Sequence, residues 1–321
     1  MEIVQLKKSH LDDVVSLWSG AFTKWETGHR WYPLSRQRLE GIMADENFLP
    51  SGSLVAIKDG ALVGFALGYV QRVDFRGEGD LTDKPGRLAG LAVRADCRRQ
   101  GIGRALLETV EAALKKEGKS ASSFRTYGMP ISLTHGFYLD TDPYYFILSC
   151  GYQPIGHELQ LRNDLAKFQL GRDITRRRTK LAAAGIIFRW YESDDRDNLL
   201  QFMGRYFSGG WHTAIQRATS GESSRKILLA LNSDGIVAFA GPFHVSGAGQ
   251  PGGFGSPGVS PNFRRRGVGT VLFHLALDYL KSAGASYVEY GTGVTNPARF
   301  MYFGSGAQLV GIYCSNLHKK L

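Results

Sequence analysis

"RRQGIGRALL", residues Arg98 to Leu107, sets two arginines ahead of Gly-x-Gly and then opens an apolar-striped segment. The pattern returns 166 residues later as "RRRGVGTVLF", Arg264 to Phe273. Superposing Arg98 on Arg264 brings Gly101 onto Gly267 and Gly103 onto Gly269. Ile102, Leu106, Val110, Ala113 and Leu114 then fall on Val268, Leu272, Ala276, Tyr279 and Leu280. That spacing is one face of an amphipathic helix, written twice. Gly118 and Gly284 follow, where a helix C-terminus favours glycine.

The repeat extends outward from both motifs. "SLVAIKDGALVGFALGYV" (53–70) and "KILLALNSDGIVAFAGPF" (226–243) each read as strand, turn, strand. Helical segments are expected before them, near 10–22 and 34–44 and again near 194–207 and 211–219. A short strand follows each glycine-led helix, near 122–127 and 286–291, then a further helix and strand. Each half therefore reads β-α-α-β-β-β-α-β-α-β, a mixed α/β plan. Domains are expected at 1–161 and 186–321, with 162–185 as a polar, basic linker. Its Arg176–Arg178 run is read as a solvated face.

In both copies a valine closes a strand, Val93 or Val259, and an arginine follows five residues on. A helix N-terminus offers unpaired N–H groups and the positive end of the helix dipole. Glycine lets an anion approach those groups, and arginine adds charge. The arrangement suits a pyrophosphate. It lacks the Gly-Lys-Ser/Thr of a P-loop, and the third glycine and acidic residue of the dinucleotide fingerprint. A single Gly-x-Gly would mean little; its repetition at one offset from a strand carries the reading.

Bulk properties agree with two soluble domains. The chain has 321 residues, 43% hydrophobic and 21% charged, with a net charge of +10. No apolar run reaches the roughly 18 residues of a membrane span. "MEIVQLKKSH" has no signal-peptide core, so a cytoplasmic protein is expected. Three scattered cysteines, Cys97, Cys150 and Cys314, form no CxxC pair; neither a disulfide framework nor a metal site is expected. The charge alone is weak support for nucleic-acid binding, which is not expected.

"LAVRADCRRQGIGRALL" and "GVSPNFRRRGVGTVLF" resemble the acetyl-CoA-binding motif of Gcn5-related N-acetyltransferases, Arg/Gln-x-x-Gly-x-Gly/Ala. The likeness covers nearly the whole chain as two tandem acyl-CoA-binding domains, similar to the mycothiol-synthase-like bacterial architecture. It implies an α/β fold with a mixed sheet splayed beside the motif strand. It implies coenzyme A held by Arg98, Arg99, Gln100, Gly101, Ile102, Gly103 and Arg104, and by Arg264, Arg265, Arg266, Gly267, Val268, Gly269 and Thr270. The pantetheine arm would pair with Leu91, Ala92 and Val93, or with the strand ending at Val259. The implied reaction is direct attack of a small-molecule amine on the thioester, with a backbone N–H holding the oxyanion and a general acid protonating the thiolate.

The copies differ at that acid. The family pattern Asn-x-Ala-x-x-x-Tyr-x-x-x-Gly matches "NPARFMYFGSG", so Asn296 is assigned to the cofactor and Tyr302 to the acid. The first copy has Ile147 there, with Tyr144 and Tyr145 about a turn earlier. The second copy has Pro257, which lacks an N–H, in its motif strand. The second copy is favoured for the chemistry. Recognition of the acceptor falls to two aromatic loops, 24–33 and 126–145, the latter with His135, Tyr138, Asp140 and Asp142. Glu78, Asp80, Glu289, His212 and His244 are weaker candidates for a base. The alternative function is a non-catalytic acyl-CoA-binding or regulatory module with degenerate sites.

Overall fold

The computed structural model describes residues 1–321 except 22–32, 73–83, 126–132, 134, 135, 208, 222–224 and 246. The first half runs β1 (Glu2–Gln5), α1 (Leu11–Ala21), α2 (Arg36–Ala44), β2 (Phe48–Lys58), β3 (Ala61–Tyr69), β4 (Gly86–Val93), α3 (Ile102–Lys116), β5 (Ala121–Arg125), β6 (Phe137–Tyr138), α4 (Asp142–Ser149), β7 (Gln153–Pro154) and β8 (Glu158–Asp164). The second half runs α5 (Arg172–Ala183), β9 (Ile187–Trp190), α6 (Arg196–Tyr206), α7 (Gly210–Ala218), β10 (Leu228–Asn232), β11 (Gly235–Val245), β12 (Gly252–Val259), α8 (Val268–Ser282), β13 (Tyr287–Gly293), α9 (Ala298–Gly304), β14 (Gln308–Cys314) and β15 (Asn316–Lys320).

The expected mixed α/β plan is present twice. The chain divides into one unit of residues 1–159 with 310–321, and another of residues 160–309. In the first unit the sheet order is β1-β2-β3-β4-β5-β15-β7. In the second it runs β8-β13-β12-β11-β10-β9. The helix stripes do what their spacing demands. Ile102, Leu106, Val110, Ala113 and Leu114 of α3 are buried, as are Val268, Leu272, Ala276 and Leu280 of α8. Each such side chain contributes about 1.5–3 kcal/mol when it leaves water, less for alanine.

The division differs from the expected boundaries in two ways. Residues 162–185 are not a simple linker: they begin inside β8 and contain α5, which packs on α8 and has Ile174 and Leu181 buried. The last strand, β15, belongs to the first unit. It pairs antiparallel with β5, from Asn316↔Arg125 to Lys320↔Ala121, and with β7 at Leu317↔Pro154. Leu317 and Cys314 sit in the first unit's core, and Lys319 Nζ reaches Glu111 at 2.8 Å. Their sequence, Asn-Leu-His-Lys-Lys, carries a single apolar residue and says nothing of which neighbour the strand joins.

One further asymmetry concerns the motif strands. β3 and β4 shift register between Leu67↔Gly90 and Gly68↔Leu88, so Ala89 is an extra residue, a bulge. β11 and β12 keep one register from Ala238↔Val259 to Val245↔Gly252.

Candidate functional site

The two glycine loops share one backbone. Arg99 and Arg265 each have φ 62°, in the left-handed region, and Gly101 and Gly267 follow at 82° and 87°. A left-handed residue other than glycine costs on the order of 1–3 kcal/mol and persists only where its surroundings impose it. Finding that cost at the same step of both copies ties it to what the loop does. Left-handed residues turn successive N–H groups toward one concavity, an anion-binding nest. Gly101 and Gly267 are the N-caps of α3 and α8, and neither helix start has a side-chain cap. The end N–H groups of both helices are thereby left for an incoming anion.

The side chains refine the sequence reading. Arg98 Nε donates to the Val93 carbonyl at 3.1 Å, and Arg264 Nε to the Val259 carbonyl at 3.0 Å. Both motif arginines therefore tie the loop to the strand before it. Gln100 accepts from Lys58 Nζ at 2.9 Å, and Arg104 donates to the Ser149 carbonyl at 3.2 Å. Arg266 lies over the Phe263 ring, and the Thr270 carbonyl is 2.8 Å from His274 Nδ1. Asn296 lies just before α9, its Oδ1 accepting from the Ala298 N–H at 3.0 Å.

Each nest opens on a gap between parallel strands. Among the described residues β4 and β5 pair only at Gly86↔Ser122 and Arg87↔Ser123, and β12 and β13 only at Gly252↔Val288. Beyond Gly252 and Val288 the strands part, while residues 126–132, which follow β5, lie outside the described residues. The N–H of Arg94 donates to Val63, and that of Ser260 to Val237, both at 2.9 Å. Hydrogen-bonding direction alternates along an antiparallel strand. Val93 and Leu91 therefore face the first gap, while Ala92 turns its N–H toward β3. In the second copy Val259 faces the gap with an N–H, and Pro257, in the place of Leu91, faces it with none.

The floor of the gap differs as well. In the second copy Phe254 of β12, Phe273 of α8, Tyr290 of β13 and Tyr302 of α9 form one cluster. The Tyr302 ring centroid lies 4.9 Å from that of Phe273 and 4.7 Å from that of Tyr290. The corresponding residues of the first copy are Leu88, Leu107, Phe124 and Ile147, all buried. Tyr302 is 6% exposed, and its hydroxyl has no hydrogen-bond partner among the described residues. Burial pushes its phenol up to about 12. Tyr290 donates to Asn163 Oδ1 at 2.5 Å, and Asn163 in turn donates to Ser305. Burial foremost, with the neighbouring Tyr302, raises the Tyr290 phenol.

The remaining candidates separate clearly. Glu289 is held by Arg162, whose Nε donates at 2.7 Å, and by Gln160 Nε2 at 3.1 Å, so it is committed to that cluster. The Tyr144 hydroxyl is committed to His157 Nε2 at 3.1 Å, and Tyr145 is exposed. Tyr138 is buried on β6, opposite Tyr313, within the first unit. His244 lies over Gly253, and His212 is on α7. Glu78, Asp80, His135, most of the loop 24–33 and the start of the loop 126–145 lie outside the described residues. All three cysteines are buried and free. No group of three or more His, Cys, Asp or Glu able to hold a metal occurs among the described residues, and no described helix is long and apolar enough to cross a membrane.

These loops and gaps match a known family. The model of the acetyltransferase (GNAT) family matches residues 11–127 and again 189–304. The chain belongs to that family, as a tandem pair of its domains, and the family binds acetyl-CoA in general. No curated protein matches. Among solved structures, the glucosamine N-acetyltransferase region of a fungal multi-domain GH3 β-N-acetylglucosaminidase is similar over 99% of this chain, at 20% identity and a TM-score of 0.74. This chain spans 38% of that protein's length. A GCN5-related N-acetyltransferase from Sphaerobacter thermophilus is similar over 99% of this chain and 95% of its own, at 14% identity and a TM-score of 0.64. A tandem GNAT protein from the clavulanic acid biosynthesis pathway covers 99% and 98%, at 16% identity and a TM-score of 0.62. At these identities the likeness is one of fold.

Proposed function

We propose that the protein is an acetyl-CoA-dependent N-acetyltransferase acting on the primary amine of a small molecule in the cytoplasm. The observation that carries the reading is the doubled nest, with its left-handed Arg-x-Gly step opening on a strand gap. Loop N–H groups and unpaired arginines suit the pyrophosphate of coenzyme A, and the gap-facing N–H groups suit its amide arm. The three buried thiols fit a reducing compartment.

The chemistry is assigned to the second copy. The amine nitrogen attacks the thioester carbonyl carbon, forming the C–N bond while the C–S bond breaks. The Val259 N–H is the donor for the developing oxyanion. Tyr302 gives its hydroxyl proton to the departing thiolate, and the surplus amine proton leaves to water. A phenol raised to about 12 stays protonated throughout the neutral range, as an acid must. The first copy, with Ile147, would hold coenzyme A without protonating it.

Release of free thiol from acetyl-CoA with a panel of amines tests the reading, and Tyr302→Phe should abolish most of it. Unchanged turnover in that variant removes Tyr302 from the mechanism. A second reading, an acyl-CoA-binding module without turnover, is favoured by the N–H missing at Pro257. Coenzyme A binding with no reaction on any amine would establish it.

A further inference from the structure

The basic helix α5 lies directly before β9, at the start of the second copy. Its arginines read from the sequence as a solvated face, and Arg176, Arg177 and Arg178 are all exposed. Arg177 does more. Its aliphatic stem lies against Gly267, the N-cap of α8, so closely that a Cβ there would stand 2.8 Å from Arg177 Cδ and 3.1 Å from Nη1. At Gly101, the matching N-cap, nothing lies within 4 Å. Gly267 therefore serves two purposes: its left-handed conformation shapes the nest, and its missing side chain admits an arginine to the nest's edge.

The charges around that edge are unbalanced. Arg177, Arg264, Arg265 and Arg266 make no ion pair among the described residues. In the first loop Arg94 pairs with Asp96 at 2.7 Å, but Asn262 stands at the position of Asp96 in the second. Four cations beside the positive end of a helix repel one another, and an anion seated among them removes that cost. In the same copy Tyr302 is 6% exposed, and its hydroxyl has no hydrogen-bond partner among the described residues.

We propose that Arg177 is a phosphate-clamping residue of the second nest, contacting the pyrophosphate of coenzyme A from α5 and giving this copy a grip the first lacks. The proposal rests on the acetyl-CoA reading above. It makes the second site the tighter and the more salt-sensitive of the two.

Calorimetric titration of the full chain with coenzyme A tests it. Wild type should bind two equivalents. Arg177→Ala should weaken one of them by about ten-fold at low salt, a typical loss for one charge-assisted hydrogen bond partly exposed to water. High salt should shrink the difference, and Arg177→Lys should recover part of the affinity. Arg178→Ala removes the same charge away from the loop and should change neither site. Unchanged affinities in Arg177→Ala overturn the proposal. So does tighter binding, which would mean that Arg177 blocks the nest. Equal losses in Arg178→Ala also overturn it, since a general field would then be the cause. If wild type binds no coenzyme A at all, the acetyl-CoA reading itself fails, and the clamp with it.

Discussion

The two glycine loops are nearly one object in backbone and two objects in surroundings. Both bend through a left-handed arginine into a left-handed glycine, and both anchor the motif arginine on a valine carbonyl. The first opens on a bulged strand with N–H groups at Leu91 and Val93 facing the gap, over a floor that ends in Ile147. The second opens on an unbulged strand that has lost one of those donors to Pro257, over an aromatic floor that ends in Tyr302. The strained nest has been kept in both copies, while the groups that would act on a thioester have diverged. On the proposed reading, holding the nucleotide end and carrying out the chemistry are separable demands on this fold.

The strongest way to break the comparison is at Tyr302. Its removal in Tyr302→Phe should lower kcat by about a hundred-fold, the usual contribution of a positioned general acid. Ile147→Val, at the same place in the first copy, should leave kcat unchanged. Equal effects at the two positions would erase the proposed division.

Next come the paired glycines. Gly101→Ala should cost about 1–2 kcal/mol of stability through left-handed strain alone. Gly267→Ala carries the same strain and must also displace Arg177, so its melting temperature should fall further. Adding Arg177→Ala should bring Gly267→Ala back to the level of Gly101→Ala. If the single variants melt together, the contact between Arg177 and Gly267 has no energetic weight.

A smaller effect is expected from Pro257→Ala, which restores an N–H facing the second gap. One added donor near the thioester should raise kcat/KM by about five-fold, and a fall would show that the proline is needed for the strand's shape. The smallest effect concerns alkali. Tyr302 is raised on folding, so its neutral form is favoured in the native state. Its contribution is complete below the unfolded phenol value of about 10 and is lost as pH rises toward about 12. Alkaline unfolding should therefore begin in that window, and Tyr302→Phe should shift its midpoint upward.

Much of this was legible in the residues. The Gly-x-Gly repeat gave both nests, because a helix start leaves the same donors exposed wherever it occurs. The stripe from Ile102 to Leu114 gave the buried face of α3, because burial follows helical period. The exchange of β15 was not legible, since a strand's pattern fixes which side chains face inward but not which edge it joins. Arg98 makes a further contact that was hidden for a related reason. Its sequence position gives the charge, while only the folded loop reveals that Nε is spent on the Val93 carbonyl. Arg177 was hidden because α5 approaches Gly267 across 90 residues of chain. The bulge at Ala89 left no sign in "GRLAGLAV" beyond the glycines around it.

Both halves of the account meet in one titration: acetyl-CoA added to the Tyr302→Phe chain in the presence of a turned-over amine, with bound ligand and released thiol followed together. Two equivalents bound per chain, with thiol release slowed about a hundred-fold from wild type, is the predicted result. One equivalent bound, or thiol release at the wild-type rate, would contradict it.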